Sequence, residues 1–138
     1  MKLLVIDAQG GGVGKQLIAA IKKELPQVEI TAVGTNSAAT LAMQKAGADR
    51  AATGENAVVV CCRSAEVILG SIGIAIADSM LGEITPRMAA AVGQSPAKRI
   101  LIPFDNCDNI IVGASELPAG RRIAAAVETL RRIVRENT

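Results

Sequence analysis

The sequence predicts an α/β protein with a three-layer Rossmann-like fold, in which a mostly parallel sheet of about five to six strands carries helices on both faces. Short apolar blocks bounded by Gly, Pro, Asp or Asn alternate with segments whose apolar residues recur at helical spacing. The first block, Lys2 to Asp7, leads into a glycine-rich turn and then a helix. This order is typical of the first βα unit of a parallel sheet.

Length and composition fit one cytoplasmic domain. At 138 residues the chain is close to the commonest domain size, and we expect residues 1–138 to form a single Rossmann-like domain. The start at Met1 shows no targeting pattern, and no apolar run approaches the length that crosses a bilayer. We therefore expect a cytoplasmic protein without a membrane partner, in which Cys61, Cys62 and Cys107 are reduced, incidental thiols.

Composition excludes several kinds of site. The net charge of +2 is spread along the chain and one Phe is the only aromatic residue, so neither a basic stripe nor a stacking surface for nucleic acid is present. The chain has no histidine, which excludes Ser-His-Asp triads, Cys-His pairs and imidazole metal ligands. We predict no nucleic-acid partner and no metal site.

The first two βα units follow from clear start and stop signals. The first strand is followed by a helix whose apolar stripe ends before Pro26. A second strand covers Glu29 to Val33. Asn36 or Ser37 then caps a helix that runs to about Ala46.

The third βα unit has two interpretations. In one, Arg50 to Ala52 is a short strand and Thr53 caps a helix over Ala57 to Ser64. In the other, Ala57 to Cys62 is a strand, because its consecutive valines favour one. We favour the helix, because too few residues separate this segment from the next strand, Glu66 to Leu69, for a parallel crossover.

Two further helices are predicted before the fifth strand. The apolar segment Ile74 to Leu81 predicts a helix that stops at Gly82. Thr85-Pro86 then supplies the cap and first position of a helix that runs to about Val92.

The C-terminal region predicts a hairpin and a final helix. Arg99 to Ile102 is a strand, and Ile110 to Val112 can pair with it after a turn at Asp105 to Asp108. Pro118 opens the last helix, which carries one apolar stripe and an arginine-rich C-terminal end.

The strongest functional signal is the turn after the first strand, Asp7-Ala8-Gln9-Gly10-Gly11-Gly12-Val13-Gly14-Lys15. A strand that enters a glycine-rich turn and then a helix leaves backbone N–H groups free to bind an anion. The predicted ligand-binding residues of this turn are Gly10, Gly11, Gly12, Val13, Gly14 and Lys15. The alternative is a tight turn that only packs the helix against the strand.

This turn departs from the standard phosphate-binding motifs. The dinucleotide fingerprint needs Gly or Ala where Lys15 stands, and the Walker A loop needs Gly at Gln9 and Ser or Thr at Gln16. Gly11 to Lys15 resembles the centre of the deviant Walker loop of partitioning ATPases, but Gly10 replaces their signature lysine and Gln16 their threonine. ATP hydrolysis is therefore not predicted.

The other strand-to-helix loops supply further candidates, because all of them lie at one edge of a parallel sheet. They are Thr35, Asn36, Ser37, Thr53, Glu55, Asn56, Ser71, Gly73 and the loop Pro103 to Cys107. The second strand ends in neutral groups rather than in the acid that NAD proteins present to the ribose. NAD is therefore disfavoured, whereas NADP and other nucleotides stay open.

Catalysis is left open. The candidates for an acid or base are Glu55, Asp78 and Glu83, together with Asp7, because these carboxylates lie nearest the predicted binding edge. Each of them also fits a capping or solvated role.

Six strings along the chain form a specific pattern. They are Gly10-Gly11-Gly12-Val13-Gly14-Lys15-Gln16, Gly34-Thr35-Asn36-Ser37, Ala46-Gly47-Ala48-Asp49-Arg50, Ala52-Thr53-Gly54-Glu55-Asn56-Ala57, Ser79-Met80-Leu81-Gly82-Glu83-Ile84-Thr85-Pro86 and Leu101-Ile102-Pro103. With these strings the chain resembles, over nearly its whole length, a family of small bacterial proteins described as a domain of unknown function. The resemblance implies a Rossmann-like fold and no agreed activity.

Two functional hypotheses follow. The first is a protein that binds a nucleotide or another small phosphorylated molecule at the glycine-rich turn. The second is a non-catalytic ligand-sensing or assembly module that acts as a homo-oligomer, most simply a dimer. It is motivated by the small side chains of Ala38 to Ala46 and the helix from Ile123 to Val134, which permit close packing between subunits.

Overall fold

A computed structural model describes residues 1–104 and 109–137. Its centre is a five-stranded sheet in the order β3-β2-β1-β4-β5, in which neighbouring strands pair in parallel. The strands are β1 (Lys2–Asp7), β2 (Glu29–Gly34), β3 (Arg50–Thr53), β4 (Val67–Ser71) and β5 (Lys98–Ile102). The helices are α1 (Gly12–Glu24), α2 (Ser37–Lys45), α3 (Glu55–Ser64), α4 (Pro86–Gln94) and α5 (Ala119–Glu136). The predicted three-layer α/β fold is confirmed.

The sheet separates two apolar cores. Helices α1, α2 and α5 pack on one side, and α3 and α4 pack on the other. Alternate residues of β1 point to opposite sides, so that Leu3 and Val5 join the first core while Leu4 and Ile6 join the second. All four side chains are at most 1 % exposed, as expected for a parallel strand covered on both faces.

The strand order creates a crevice above β1. The chain runs from β1 outward through β2 to β3, and then returns through α3 to β4 on the other side of β1. The connections after β1 and β4 therefore leave toward opposite faces of the sheet, because α1 and α4 lie on opposite sides. A gap opens between them at the carboxyl ends of the strands. Open parallel sheets bind their ligands at this topological switch point.

Two predicted helix starts are confirmed. The Asn36 side chain accepts a hydrogen bond from the backbone amide of Ala39 and caps α2. Thr85 caps α4 in the same way through the amide of Met88, with Pro86 at the first helical position.

The third βα unit contains the predicted helix α3, and the alternative strand over the valines is wrong. The predicted cap is also wrong, since Gly54 rather than Thr53 precedes α3, with φ of 106°. That conformation favours glycine and leaves the Thr53 side chain outside the capping position. The Thr53 hydroxyl instead lies 2.7 Å from the Thr40 hydroxyl on α2.

The predicted helix over Ile74 to Leu81 is wrong. A short 3-10 helix covers Ile72–Ala75, and turns follow it as far as α4. Asp78, Met80 and Leu81 have φ between 56° and 65°, which an α-helix does not accommodate. Ile74 is fully buried in the second core, and the turns begin a few residues after it.

The predicted hairpin strand at Ile110 to Val112 is also wrong. These residues form no strand, and the Ile111 carbonyl accepts a turn hydrogen bond from the Ala114 amide. Ile110 and Val112 are 92 % and 97 % exposed, so their apolar side chains cover no core within the described chain. The turn predicted at Asp105 to Asp108 lies outside the described residues. No helix within 1–104 and 109–137 is long and apolar enough to span a membrane.

Gly34 is required at the end of β2, and we predict that Gly34→Ala destabilises the fold. An added Cβ would lie 2.6 Å from the Thr40 amide nitrogen and 2.9 Å from the Asn36 carbonyl oxygen, both backbone atoms. We expect a loss of about 1–3 kcal/mol of unfolding free energy, measured by urea denaturation.

The matched control is Gly93→Ala in α4, where no atom lies within 4 Å of an added Cβ. This substitution should stabilise the protein by about 0.5–1 kcal/mol. Equal effects of the two substitutions would contradict the steric account of Gly34.

Candidate functional site

A cavity of about 260 Å³ occupies the switch point between β1 and β4. Its walls come from three loops, those that follow β1, β4 and β5. The lining residues are Asp7 to Val13, Ser71 to Gly73, Ile76, Ser79, Met80, Phe104 and Asn109. Asp7 is the one ionisable side chain among these described wall residues, and most of the wall is apolar.

Two glycines of the turn have structural reasons to be glycine. Gly11 has φ of 73°, and an added Cβ there would lie 2.9 Å from the Ala39 Cα. At Gly14 an added Cβ would lie 2.5 Å from the Sδ of the fully buried Met43. Both positions bring α1 close to α2, as the packing interpretation of the turn predicts.

Gly10 and Gly12 have no such reason. An added Cβ would meet no atom within 4 Å at either position, and neither residue has a positive φ. Both line the cavity. Their backbone N–H groups donate no hydrogen bond within the described part of the chain. At these two positions the turn therefore has a backbone N–H group that is available to a ligand and no side chain.

Asp7 lies at the end of β1, beneath the same turn. Its side chain is 4 % exposed, and its two oxygens accept hydrogen bonds from the amides of Ala8 at 2.8 Å and Gly14 at 2.7 Å. Burial raises the pKa of the Asp7 carboxyl above its ordinary value, and these hydrogen bonds only partly offset that effect. The carboxylate thus caps α1 from within the sheet and forms part of the cavity floor.

Ser71 ends β4 beside Asp7. Val5 pairs with Leu69, and Asp7 and Ser71 each lie two residues further along their strands on the same face. Ser71 is 9 % exposed and lines the cavity, and its hydroxyl makes no hydrogen bond among the described residues. Since no fully buried polar side-chain atom of those residues lacks a partner, the hydroxyl is accessible to solvent. We therefore assign it as the third available polar group of the cavity, after the amides of Gly10 and Gly12.

Glu83 joins three loops at the neighbouring edge of the site. Its Oε1 accepts hydrogen bonds from the Gln9 amide at 2.9 Å, the Thr35 hydroxyl at 2.6 Å and the Asn36 side-chain amide at 2.9 Å. The Thr35 hydroxyl, followed by the Gln9 amide, lowers the pKa of the Glu83 carboxyl below its ordinary value. Glu83 thereby holds the loop after β4 against the loops after β1 and β2.

Phe104 is held in the wall by a buried arginine that the sequence interpretation did not identify. The Arg122 guanidinium lies 5.8 Å from the centre of the Phe104 ring. Arg122 as a whole is 7 % exposed. It donates to the carbonyls of Pro103, Leu117 and Ala114. In the sequence, Arg122 directly precedes Ile123 of the apolar stripe of the last helix. This position was the one available indication that Arg122 is buried.

The structure brings only part of the predicted ligand set together. Six predicted residues line the cavity, and they are Gly10, Gly11, Gly12, Val13, Ser71 and Gly73. The other eight lie outside the described walls, and they are Gly14, Lys15, Thr35, Asn36, Ser37, Thr53, Glu55 and Asn56. Lys15 is exposed on α1, and Gly14 is buried against α2.

Three of the four predicted acid or base candidates lie away from the cavity walls, and only Asp7 lines them. Glu55 accepts a hydrogen bond from the Thr85 hydroxyl at 2.6 Å and pairs with Arg87, which links α3 to α4. Asp78 is exposed in the turn after β4. Glu83 is held by its three donors. No signal in the sequence ranks Asp7 above these three, because its burial beneath the turn depends on the fold.

Cys61 and Cys62 lie on α3, away from the cavity. Burial raises the pKa of Cys62 to about 11 and also raises that of Cys61. Both are therefore thiols at neutral pH, which is unfavourable for a nucleophile.

The chain belongs to the family described as a domain of unknown function (DUF3842), whose profile matches residues 2–135. No match was found among curated proteins. Among solved structures, the chain is similar to one described as a dodecameric FMN-dependent UbiX-like decarboxylase from Escherichia coli O157:H7. The identity is 20 %, the match covers 94 % of this chain and 75 % of that chain, and the TM-score is 0.46. The family predicted from the sequence strings is confirmed.

We predict that Glu83 contributes stability at neutral pH that is lost in acid. Its pKa is lowered in the folded state from an ordinary value of 4.5, so the contribution is present above that value and disappears as pH falls through the folded pKa. Glu83→Gln should be less stable than the wild type at pH 7, and the difference should shrink toward pH 3 in urea denaturation. A difference independent of pH would contradict the assigned role of the charge.

Proposed function

We propose that this protein binds a compact small molecule in the cavity between β1 and β4, and that a phosphate or another anionic group of the ligand lies on the Gly10–Gly12 turn. The observation that carries the proposal is the convergence of three available polar groups on one cavity at the switch point. These groups are the amides of Gly10 and Gly12 and the hydroxyl of Ser71. Backbone amides at a helix N-terminus favour negative charge.

The absence of side chains at Gly10 and Gly12 supports the proposal. Neither position needs glycine for its backbone conformation or for packing against neighbouring atoms. A side chain at either would instead project from a wall of the cavity. Close approach of a ligand to the backbone explains the two glycines.

The apolar walls indicate the nature of the rest of the ligand. Ile72, Ile76, Met80 and Phe104 line the cavity beside the polar groups. A ligand with one anionic end and an apolar or ring-containing body matches this division. Mononucleotides belong to that class, as do other small phosphorylated metabolites.

We predict that Ser71→Ala and Gly12→Ala weaken binding of such a ligand without unfolding the protein. Loss of the Ser71 hydrogen bond should cost about 0.5–1.5 kcal/mol of binding free energy, which is roughly a threefold to tenfold rise in Kd. Gly12→Ala should weaken binding while leaving the unfolding free energy unchanged or raised by up to about 1 kcal/mol. Isothermal titration with compact monophosphates, starting with nicotinamide mononucleotide, measures both.

The matched control is Gly120→Ala, at the exposed start of α5, where an added Cβ also meets no atom within 4 Å. It should change stability as Gly12→Ala does and leave the Kd unchanged. Wild-type affinity in both cavity variants would contradict the proposed site.

A second candidate function is a homo-oligomeric assembly module. Among the described residues, three large apolar side chains are almost fully exposed, Leu81 at 97 %, Ile110 at 92 % and Val112 at 97 %. Leu81 adjoins Met80 and Ile110 adjoins Asn109, both on the cavity wall. A second copy covering these side chains would bury apolar surface next to the site and couple assembly to its occupancy.

The assembly hypothesis predicts that the wild type is a dimer or larger oligomer and that the double variant Leu81→Ser, Val112→Ser lowers its mass. Size-exclusion chromatography with light scattering measures this change. Leu41→Ser, which alters a 49 % exposed leucine on α2, is the control and should not change the mass. A monomeric wild type at high concentration would contradict the hypothesis.

A further inference from the structure

The crevice above β1 has two halves, one toward β2 and one toward β4. In proteins that bind dinucleotides with this strand order, the ligand crosses both halves, and a group at the end of β2 holds the ribose of one nucleotide. The cavity described here includes walls from the loops after β1, β4 and β5, and no described residue of the loop after β2.

The half toward β2 is filled by side chains that bind one another. The Glu83 carboxylate receives the Gln9 amide, the Thr35 hydroxyl and the Asn36 side-chain amide at 2.6–2.9 Å. The Asn36 amide also donates to the Gln9 carbonyl at 3.0 Å. The polar groups that end β2 are thus paired within the protein, where a dinucleotide protein would offer them to its ligand.

The segment that carries Glu83 is fixed at several points. The Asp78 amide donates to the Ile84 carbonyl at 2.7 Å, and Ile84 is fully buried. Thr85, two residues after Glu83, caps α4. Withdrawal of Glu83 would therefore require the loop to leave a buried anchor and a helix cap together.

The negative charge of Glu83, like its position, disfavours a ligand that extends toward β2. Glu83 brings a carboxylate to the end of β2, and its lowered pKa keeps it ionised at neutral pH. A 2′-phosphate or a second phosphate directed toward β2 would meet this negative charge.

We propose that Glu83 is a specificity-determining residue that closes the β2 half of the crevice, so that the site takes ligands with a single phosphate on the β4 side and rejects dinucleotides such as NADP. This inference rests on the proposed function and narrows its ligand class. It also disfavours NADP, which the neutral residues at the end of β2 had left open.

Two probes that share one half test the inference. NADP contains nicotinamide mononucleotide, with a second nucleotide attached that has to extend beyond the β4 half. We expect the wild type to bind the mononucleotide at least tenfold more tightly than NADP in isothermal titration. Glu83→Ala should reduce this preference at least tenfold by improving NADP binding. Glu83→Gln keeps the size of the side chain and should preserve most of the preference.

The possible outcomes distinguish a failure of the role assigned to Glu83 from a failure of the proposed function. Mononucleotide binding by the wild type with no gain of NADP binding in Glu83→Ala overturns the role of Glu83 and leaves the proposed function intact. Equal affinity of the wild type for both probes overturns it as well. If the wild type binds neither probe, NADP binding that appears in Glu83→Ala supports the closure, and its absence overturns it. Glu83→Ser replaces the alanine variant if circular dichroism shows that the latter is unfolded.

Discussion

The buried carboxylate of Asp7 at the N-terminus of α1 is the interaction on which the site depends. A hydrogen bond to a charged group contributes about 1.5–3 kcal/mol, and Asp7 accepts two from amides of the turn. Burial of the same charge opposes this gain, as the direction of its pKa shift indicates. The carboxylate sets the position of α1 relative to β1, which requires Gly14 because a side chain there would meet Met43.

Because Asp7 caps α1, some backbone amides of the turn are bound to Asp7, whereas others have no described partner. Gly14 binds the carboxylate, whereas the amides of Gly10 and Gly12 lie above it and bind no described group. The turn therefore serves folding at its inner residues and is available to a ligand at its outer ones. Ser71 approaches the same space from the neighbouring strand because β4 pairs directly with β1 and both strands end at the same edge of the sheet.

The features predicted correctly from neighbouring residues are those that short-range interactions determine. β1 and the Asn36 and Thr85 caps follow from propensity and capping chemistry within a few residues. The helix α3 was predicted instead from its short separation from β4, against the strand propensity of its valines. The segment after Ile74 was predicted incorrectly because its apolar composition is compatible with a helix, while its course is set by positive φ values and by contacts with distant loops.

The candidate site was also predicted only where sequence patterns and the general rules of parallel sheets determine it. The glycines of the turn were predicted from the strand, turn and helix pattern, and Ser71 from the rule that parallel strands end at one edge. The rule did not reveal that Thr35 and Asn36 are paired with Glu83, because these partners are 48 and 47 residues apart in sequence. It also did not identify Arg122, whose partners lie in the loop that follows β5. Side-chain pairing across loops decided which predicted groups remain available.

If the cavity at the switch point binds a compact anionic ligand, the ligand should remain bound through native purification. Mass spectrometry of the small molecules released by denaturing the protein, with the Gly12→Ala protein prepared in parallel, measures this. We expect a near-stoichiometric compound with one phosphate or comparable anionic group in the wild type and much less of it in the variant. A dinucleotide recovered in equal amount from both proteins would contradict the account.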